Sequence, residues 1–272
     1  MRSLTPEQKL HYILRLAIAM CFIGHGAFGI ITKQIWCNYF AVFGFDMKTS
    51  YILMPWVGVF DIFLGLTMLV YPIRAIAIWL VLWGAVTAFL RPLSGEPFAE
   101  FLERGGNFGA PLAFLILSGN TSTLRQLFAR VEPPAKITAK TIEHLTLCLR
   151  VVVFSLLVGH GWLNLLSKKS LLAQYASLGF LYPARIAQYI GIIEVAGACI
   201  VIMRPFCKLL LVLFIWKVIS ELFYPRYEVF EWIERGGSYC SILALWFALQ
   251  YTSSGINVRF WKRSIFNNIF LL

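Results

Sequence analysis

Apolar residues run along this chain in eight long stretches, approximately 12–31, 51–71, 73–91, 105–118, 145–166, 184–203, 207–224 and 236–251. A helix that crosses a bilayer needs about 20 apolar residues, each rising about 1.5 Å. Six of the eight stretches meet that length. The fourth and eighth are short and are expected to begin near two Glu-Arg-Gly-Gly segments, part of the turn lying at the interface. The pattern predicts an all-α, polytopic membrane protein with eight transmembrane helices and little room for a soluble domain.

The polar interruptions recur. Leu14-Arg15 and Gly24-His25-Gly26 return as Leu149-Arg150 and Gly159-His160-Gly161 at an offset of 135 residues, and Lys33 and Gly44-Phe45 return as Lys168 and Gly179-Phe180. After a two-residue slip, Gly58, Asp61, Pro72, Trp83 and Pro92 match Gly191, Glu194, Pro205, Trp216 and Pro225. After another, Glu103-Arg104-Gly105-Gly106 matches Glu234-Arg235-Gly236-Gly237. Such periodicity governs the fold. Four helices per copy is an even number, so both copies enter the membrane from the same side. The expected arrangement is two parallel four-helix repeats with a pseudo-two-fold along the membrane normal. Residues 1–118 form the first repeat and 144–251 the second. A basic cytoplasmic linker at 119–143 joins them, with a short amphipathic helix around Leu124–Val131. A basic, aromatic tail at 252–272 suits a helix lying on the inner leaflet.

Composition agrees: 59% of residues are hydrophobic, 14% are charged, and mean hydropathy is +0.74. The net charge of +11 would suggest nucleic acid in a soluble protein. Here it divides between the two sides of the predicted spans. With a cytoplasmic N-terminus, 12 Lys and Arg fall inside and 9 outside, beside seven outer acids. A basic excess inside sets orientation, so both termini are expected to be cytoplasmic, in the cell (inner) membrane, with no nucleic-acid partner. No small-residue cleavage site follows the first apolar run, so no removable signal peptide is expected. Six cysteines show no C-x-x-C spacing and none is duplicated. They suggest no zinc site or disulfide. Cys21, Cys148 and Cys199 fall in apolar runs, where cysteine behaves as a small hydrophobe.

The candidate chemistry lies inside the apolar runs, at His25, Asp61, His160, Glu194, Lys217 and Glu221. An ionisable side chain at a helix centre costs about 2.5–3.5 kcal/mol on insertion scales, so these residues should pair or face a polar cavity. Asp61 and Glu194 sit at the same depth of the second helix of each copy, one turn beyond Gly58 and Gly191. His25 and His160 are flanked by glycines, which suits close approach of another helix or of a planar ligand. Each histidine could bond its own acid and only fix packing; the same pair could donate and accept protons near neutral pH. Lys217 and Glu221, four apart, share a face of the seventh helix. Their counterparts, Gly84 and Ala88, are silent. They either brace the bundle as a neutral pair or mark the second half, with His160 and Glu194, as the working half. Trp83 and Trp216 read as packing residues with one satisfied N–H or as a cofactor stack. Glu103-Arg104 and Glu234-Arg235 open the fourth and eighth helices at the outer rim, with Asn107 and Ser238 as N-cap types. The glycines there would leave free N–H groups as an anion seat, or the segment is only a capped turn. Arg15 and Arg150 are expected to snorkel.

Gly-His-Gly in the first helix, an acid in the second and Glu-Arg-Gly-Gly-Asn opening the fourth resemble the DoxX/DoxD-like family of small membrane proteins. The resemblance covers 12–118 and 145–251 in turn, as a fused tandem, with Ser238 departing from asparagine. It implies functional roles for His25, His160, Asp61, Glu194 and the Glu-Arg pairs. It also implies a membrane redox component working with a partner subunit. In that expectation a quinone sits near His160 and Glu194, and Arg235 attracts an anionic donor. Haem held by His25 and His160 is a variant. A non-enzymatic scaffold, receptor or small-solute carrier using midplane pockets is the alternative.

Overall fold

A computed structural model describes residues 4–119, 121–222 and 229–255. The expected tail helix with Arg259, Lys262 and Arg263 lies outside the described residues, as do Pro225, Arg226 and Glu228. The described chain is helical, with no strand and one isolated bridge between Ile73 and Arg130. In order, the first half holds α1 (Pro6–Ile30), α2 (Trp36–Ala41), α3 (Met47–Val70), α4 (Arg74–Leu93), α5 (Ala99–Glu103) and α6 (Gly105–Ser118). The linker carries α7 (Leu124–Phe128). The second half holds α8 (Ala139–Leu165), α9 (Lys169–Ser177), α10 (Pro183–Met203), α11 (Cys207–Leu222), α12 (Val229–Glu234) and α13 (Gly236–Gly255).

Each of the eight apolar stretches holds one long helix. Five of them, α1, α3, α4, α8 and α10, are long and apolar enough to cross a membrane. α11 begins at Cys207, where the seventh stretch does, and is described as far as Leu222. α6 is a shorter apolar helix. α8 begins at Ala139, within the stretch read as linker, because Thr138 caps it there by accepting from the Thr141 amide. Thr5 caps α1 with Gln8 reciprocating, and Asp46 caps α3 at 2.8 Å from the Thr49 amide. Such caps satisfy amide groups that a helix start otherwise leaves unpaired.

Four helices, α1, α6, α8 and α13, make the centre. α6 and α13 pack on each other and each touches both α1 and α8. Leu14, Phe22, Phe114, Leu149, Leu156 and Leu245 are among the buried residues of this core. α3 and α10 lie outside it, against α1 and α8. Trp56, Phe63, Ile193 and Tyr189 on these outer helices are exposed, as suits contact with lipid. Cys199 is exposed too, so it is not the buried hydrophobe expected of it; among the described residues all six cysteines are free.

The sequence offsets reappear as geometry. Gly44 and Gly179 both have positive φ, 81° and 85°, and so do Thr32 and Ser167, at 52° and 54°. Arg15 finds partners within the protein. Its guanidinium is nearly buried and donates to the carbonyls of Met68, Leu69 and Val70 at the end of α3. Arg150 does the same to Val201, Ile202 and Met203 at the end of α10. A cation bonded to the last carbonyls both satisfies them and meets the negative end of the helix dipole.

Candidate functional site

Glycine sets the depth at which helices meet. A Cβ on Gly26 would lie 2.5 Å from the Gly58 carbonyl oxygen, and one on Gly161 would lie 2.9 Å from that of Gly191. This contact brings α1 onto α3, and α8 onto α10, closely enough for the neighbouring histidine to reach the acid. His25 Nδ1 lies 2.8 Å from Asp61 Oδ2, and His160 Nδ1 lies 2.5 Å from Glu194 Oε2. From the third long helix of each half, Trp83 Nε1 donates to Asp61 Oδ1 at 2.8 Å and Trp216 Nε1 donates to Glu194 Oε1 at 3.3 Å. The sequence pointed to each histidine–acid pair and to one satisfied N–H on each tryptophan; the structure joins them into two histidine–acid–tryptophan triads, and another helix packs on the flanking glycines.

The outer glycine of each motif makes a different contact. A Cβ on Gly24 would strike the backbone of Glu234, and one on Gly159 would strike that of Glu103. α12 of the second half thus packs on α1, and α5 of the first half packs on α8. Each triad has beside it a glutamate from the other half. Nothing in a helical period signals this exchange, and the short helices α2, α5, α9 and α12 were not foreseen either.

A buried ionic chain joins the halves at this level. Arg235 Nη1 donates to Glu103 Oε1 at 2.6 Å, across the two halves. Arg104 Nη1 donates to Glu100 Oε2 at 2.6 Å and to Glu103 Oε2 at 3.0 Å. Lys168 lies 2.5 Å from Glu100, and Lys33 pairs with Glu231. Burial alone would raise the Glu103 carboxyl. The guanidinium groups of Arg235 and Arg104 outweigh it and hold Glu103 well below the usual carboxylate range. Glu100 and Glu231 are lowered in the same way, their neighbouring cations outweighing their burial.

The N-cap reading of Asn107 does not hold. Arg104 occupies the N-cap of α6, the helix begins at Gly105, and Asn107 lies inside it and is buried. Ser238 likewise falls inside α13, which begins at Gly236. The double glycines bring backbones together: a Cβ on Gly106 would lie 2.8 Å from the Gly237 carbonyl carbon, and one on Gly236 would strike Met20. The arginines of both motifs are engaged by glutamates.

The two triads differ in what surrounds them. In the second half, Lys217 Nζ lies 3.5 Å from both Glu194 Oε1 and Glu221 Oε1, with no hydrogen bond of its own. Glu221 in turn lies 3.3 Å from Arg235 Nε. Asn164 Nδ2 is 3.2 Å from His160 Nδ1, and Tyr175 donates to Asn164 Oδ1 at 2.6 Å. In the first half the matching positions are Gly84, Ala88, Gly29 and Phe40. His25 is held on one side only, and its ring lies 4.7 Å from that of Trp36, where the second half has Leu171. Here the bundle opens into a cavity of about 70 Å³. Its lining includes His25, Trp36, Trp83, Arg91, Arg104 and Glu234. This cavity lies in the first half, whereas Lys217 and Glu221 had directed attention to the second. Comparing unequal residues at duplicated positions, such as Trp36 with Leu171 and Gly29 with Asn164, would have flagged the difference.

A haem held between His25 and His160 would require α1 and α8 to face each other, but α6 and α13 stand between them. Among the described residues no group of three or more His, Cys, Asp or Glu could hold a metal ion. No family model matches the sequence, and no curated protein and no solved structure matches it either.

Proposed function

We propose that this is a multi-pass membrane protein that takes up a small organic ligand in the cavity of its first half and acts as a receptor or carrier for it. The observation that carries this reading is the cavity itself. It reaches a half-buried histidine paired with a buried carboxylate, and it is walled by aromatic rings that suit an organic guest. In the same reading, α1, α3, α4 and α6 span the cell membrane as one unit and α8, α10, α11 and α13 as a second, parallel unit. The matched positive-φ residues, arginine caps and triads support a pseudo-two-fold along the membrane normal. Both termini then face the cytoplasm. The motifs that resemble the DoxX-like family are compatible with this arrangement.

Native mass spectrometry of the full chain released from lipid nanodiscs tests the reading. The expected result is a one-to-one small-molecule adduct that disappears in Thr87→Trp, which fills the cavity wall. An adduct that persists in that variant, or none in the wild-type protein, contradicts it.

A second reading, a quinone-linked redox component with a partner subunit, is favoured by one feature. An imidazole with Nδ1 on a carboxylate is a proton donor–acceptor unit, and His25 presents it at an aromatic-walled cavity. Quinone-coupled activity should then fall at least about a hundred-fold in Asp61→Asn, in line with loss of general acid–base catalysis. Full activity in that variant would remove the proton role.

A further inference from the structure

The second half shows what fills the place that the first half leaves open. In the second half that filler is an ammonium group. Lys217 Nζ, on a residue only 1% exposed, sits between Glu194 and Glu221. The first half has Gly84 where the lysine stands and Ala88 where its second acid stands. Trp83, Thr87 and Ala88, which bracket Gly84 on α4, all line the cavity.

The balance of charge points the same way. Eight carboxylates, seven of them buried and Glu96 half-buried, cluster across the two halves. Six of them, Glu96, Glu100, Glu103, Glu194, Glu221 and Glu231, have a Lys or Arg nitrogen within 4 Å. Among the described residues Asp61 and Glu234 have none, and both belong to the first-half site. Asp61 is answered by His25 and Trp83. Glu234 is only 6% exposed, lines the cavity and has no hydrogen bond or ion pair among the described residues. Arg104 on the same wall is held by Glu100 and Glu103 and feels Glu234 only beyond ion-pair distance, and Arg91 is held by Glu96. A buried carboxylate without a partner is costly unless something neutralises it. Trp36, Tyr39, Phe40 and Phe43 also line the cavity. Aromatic faces attract organic cations as well as apolar bodies.

We infer that the ligand of the first-half cavity is an organic ammonium ion, a protonated amine on an apolar or aromatic body. Its nitrogen pairs with Glu234 in the role that Lys217 plays within the second half. This rests on the ligand-binding reading above and specifies the class of guest.

The test uses the full chain in lipid nanodiscs, with phenethylamine as the cationic probe and 2-phenylethanol as its neutral counterpart, read by calorimetric binding and by the melting temperature. Phenethylamine should bind and raise the melting temperature, and the alcohol should do neither. Glu234→Gln should weaken the amine by about ten- to a hundred-fold, the loss expected for a charge-assisted contact. Equal binding of amine and alcohol, or an unchanged amine affinity in Glu234→Gln, keeps a ligand cavity but overturns the charge assignment. Failure of both probes overturns the ligand reading and the inference together. A second variant needs no added ligand. Thr87→Lys should supply the ammonium internally and melt above Thr87→Met, with Glu234→Gln erasing the difference. A lysine variant that melts at or below the methionine one overturns the inference.

Discussion

His25 and His160 stand in the same local setting, each between glycines, each on an acid of the next long helix, each acid bonded by a tryptophan. Their surroundings have diverged. Around His160, Asn164, Tyr175, Lys217 and Glu221 fill the space with polar side chains that answer one another. Around His25 the matching positions are small or apolar, Trp36 covers one face of the ring, and a cavity remains. The lesson is that the ionisable residues with the most internal partners are the ones least available for anything else. Lys217 and Glu221 are engaged by each other and by their neighbours, and at the positions of Gly84 and Ala88 the first half has no such side chains.

The largest effects should come from breaking the filled half. Lys217→Met leaves Glu194 and Glu221 buried without their shared cation, and loss of one partner of a buried pair costs about 3–5 kcal/mol. Lys217→Met combined with Glu221→Gln, which moves the second half toward the charge pattern of the first, should recover part of that loss. Thermal unfolding in nanodiscs measures both, and a double variant less stable than the single one would contradict the pairing. Next come the contacts that the halves share. Gly24→Val and Gly159→Val each drive a side chain into the backbone of the other half's short helix. Overpacking of this kind costs about 1–3 kcal/mol, and the two variants should be equally damaged. A difference beyond about 1 kcal/mol would show that the exchange of α5 and α12 is not equivalent.

A smaller effect concerns acid. The folded Glu103 carboxyl is held below the usual range because Arg235 and Arg104 outweigh its burial. Its contribution to stability is therefore present above the ordinary glutamate pKa of about 4.3 and is lost as pH falls through the lower folded value. Melting temperature should drop on acidification below about pH 4, and Glu103→Gln should flatten that part of the profile. The smallest effect is at the tilted ring beside His25: Trp36→Leu, which copies the second half's Leu171, should cost about 0.5–1.5 kcal/mol.

Much of this was legible in the sequence. Hydrophobic length located the long helices, and the repeated offset paired His25 with His160, Asp61 with Glu194 and Trp83 with Trp216. Depth in an apolar run identified partners because hydrocarbon leaves an ionisable group few alternatives. What stayed hidden depended on contacts between distant segments. The meeting of Gly24 with Glu234 and of Arg235 with Glu103 has no periodic signature. Asn107 looked like a cap from its residue type, but packing against Gly84 places it inside the helix. The cavity was least visible, since it follows from side chains that one half lacks.

The proposed protein has an occupied first half and a self-filled second half. A high-resolution density map of the full chain, purified gently from native membranes, tests that most directly. The expected result is non-protein density between His25, Trp36 and Glu234, with Lys217 lying between Glu194 and Glu221 and nothing added beside it. Density beside Lys217 together with an empty first-half cavity would contradict it.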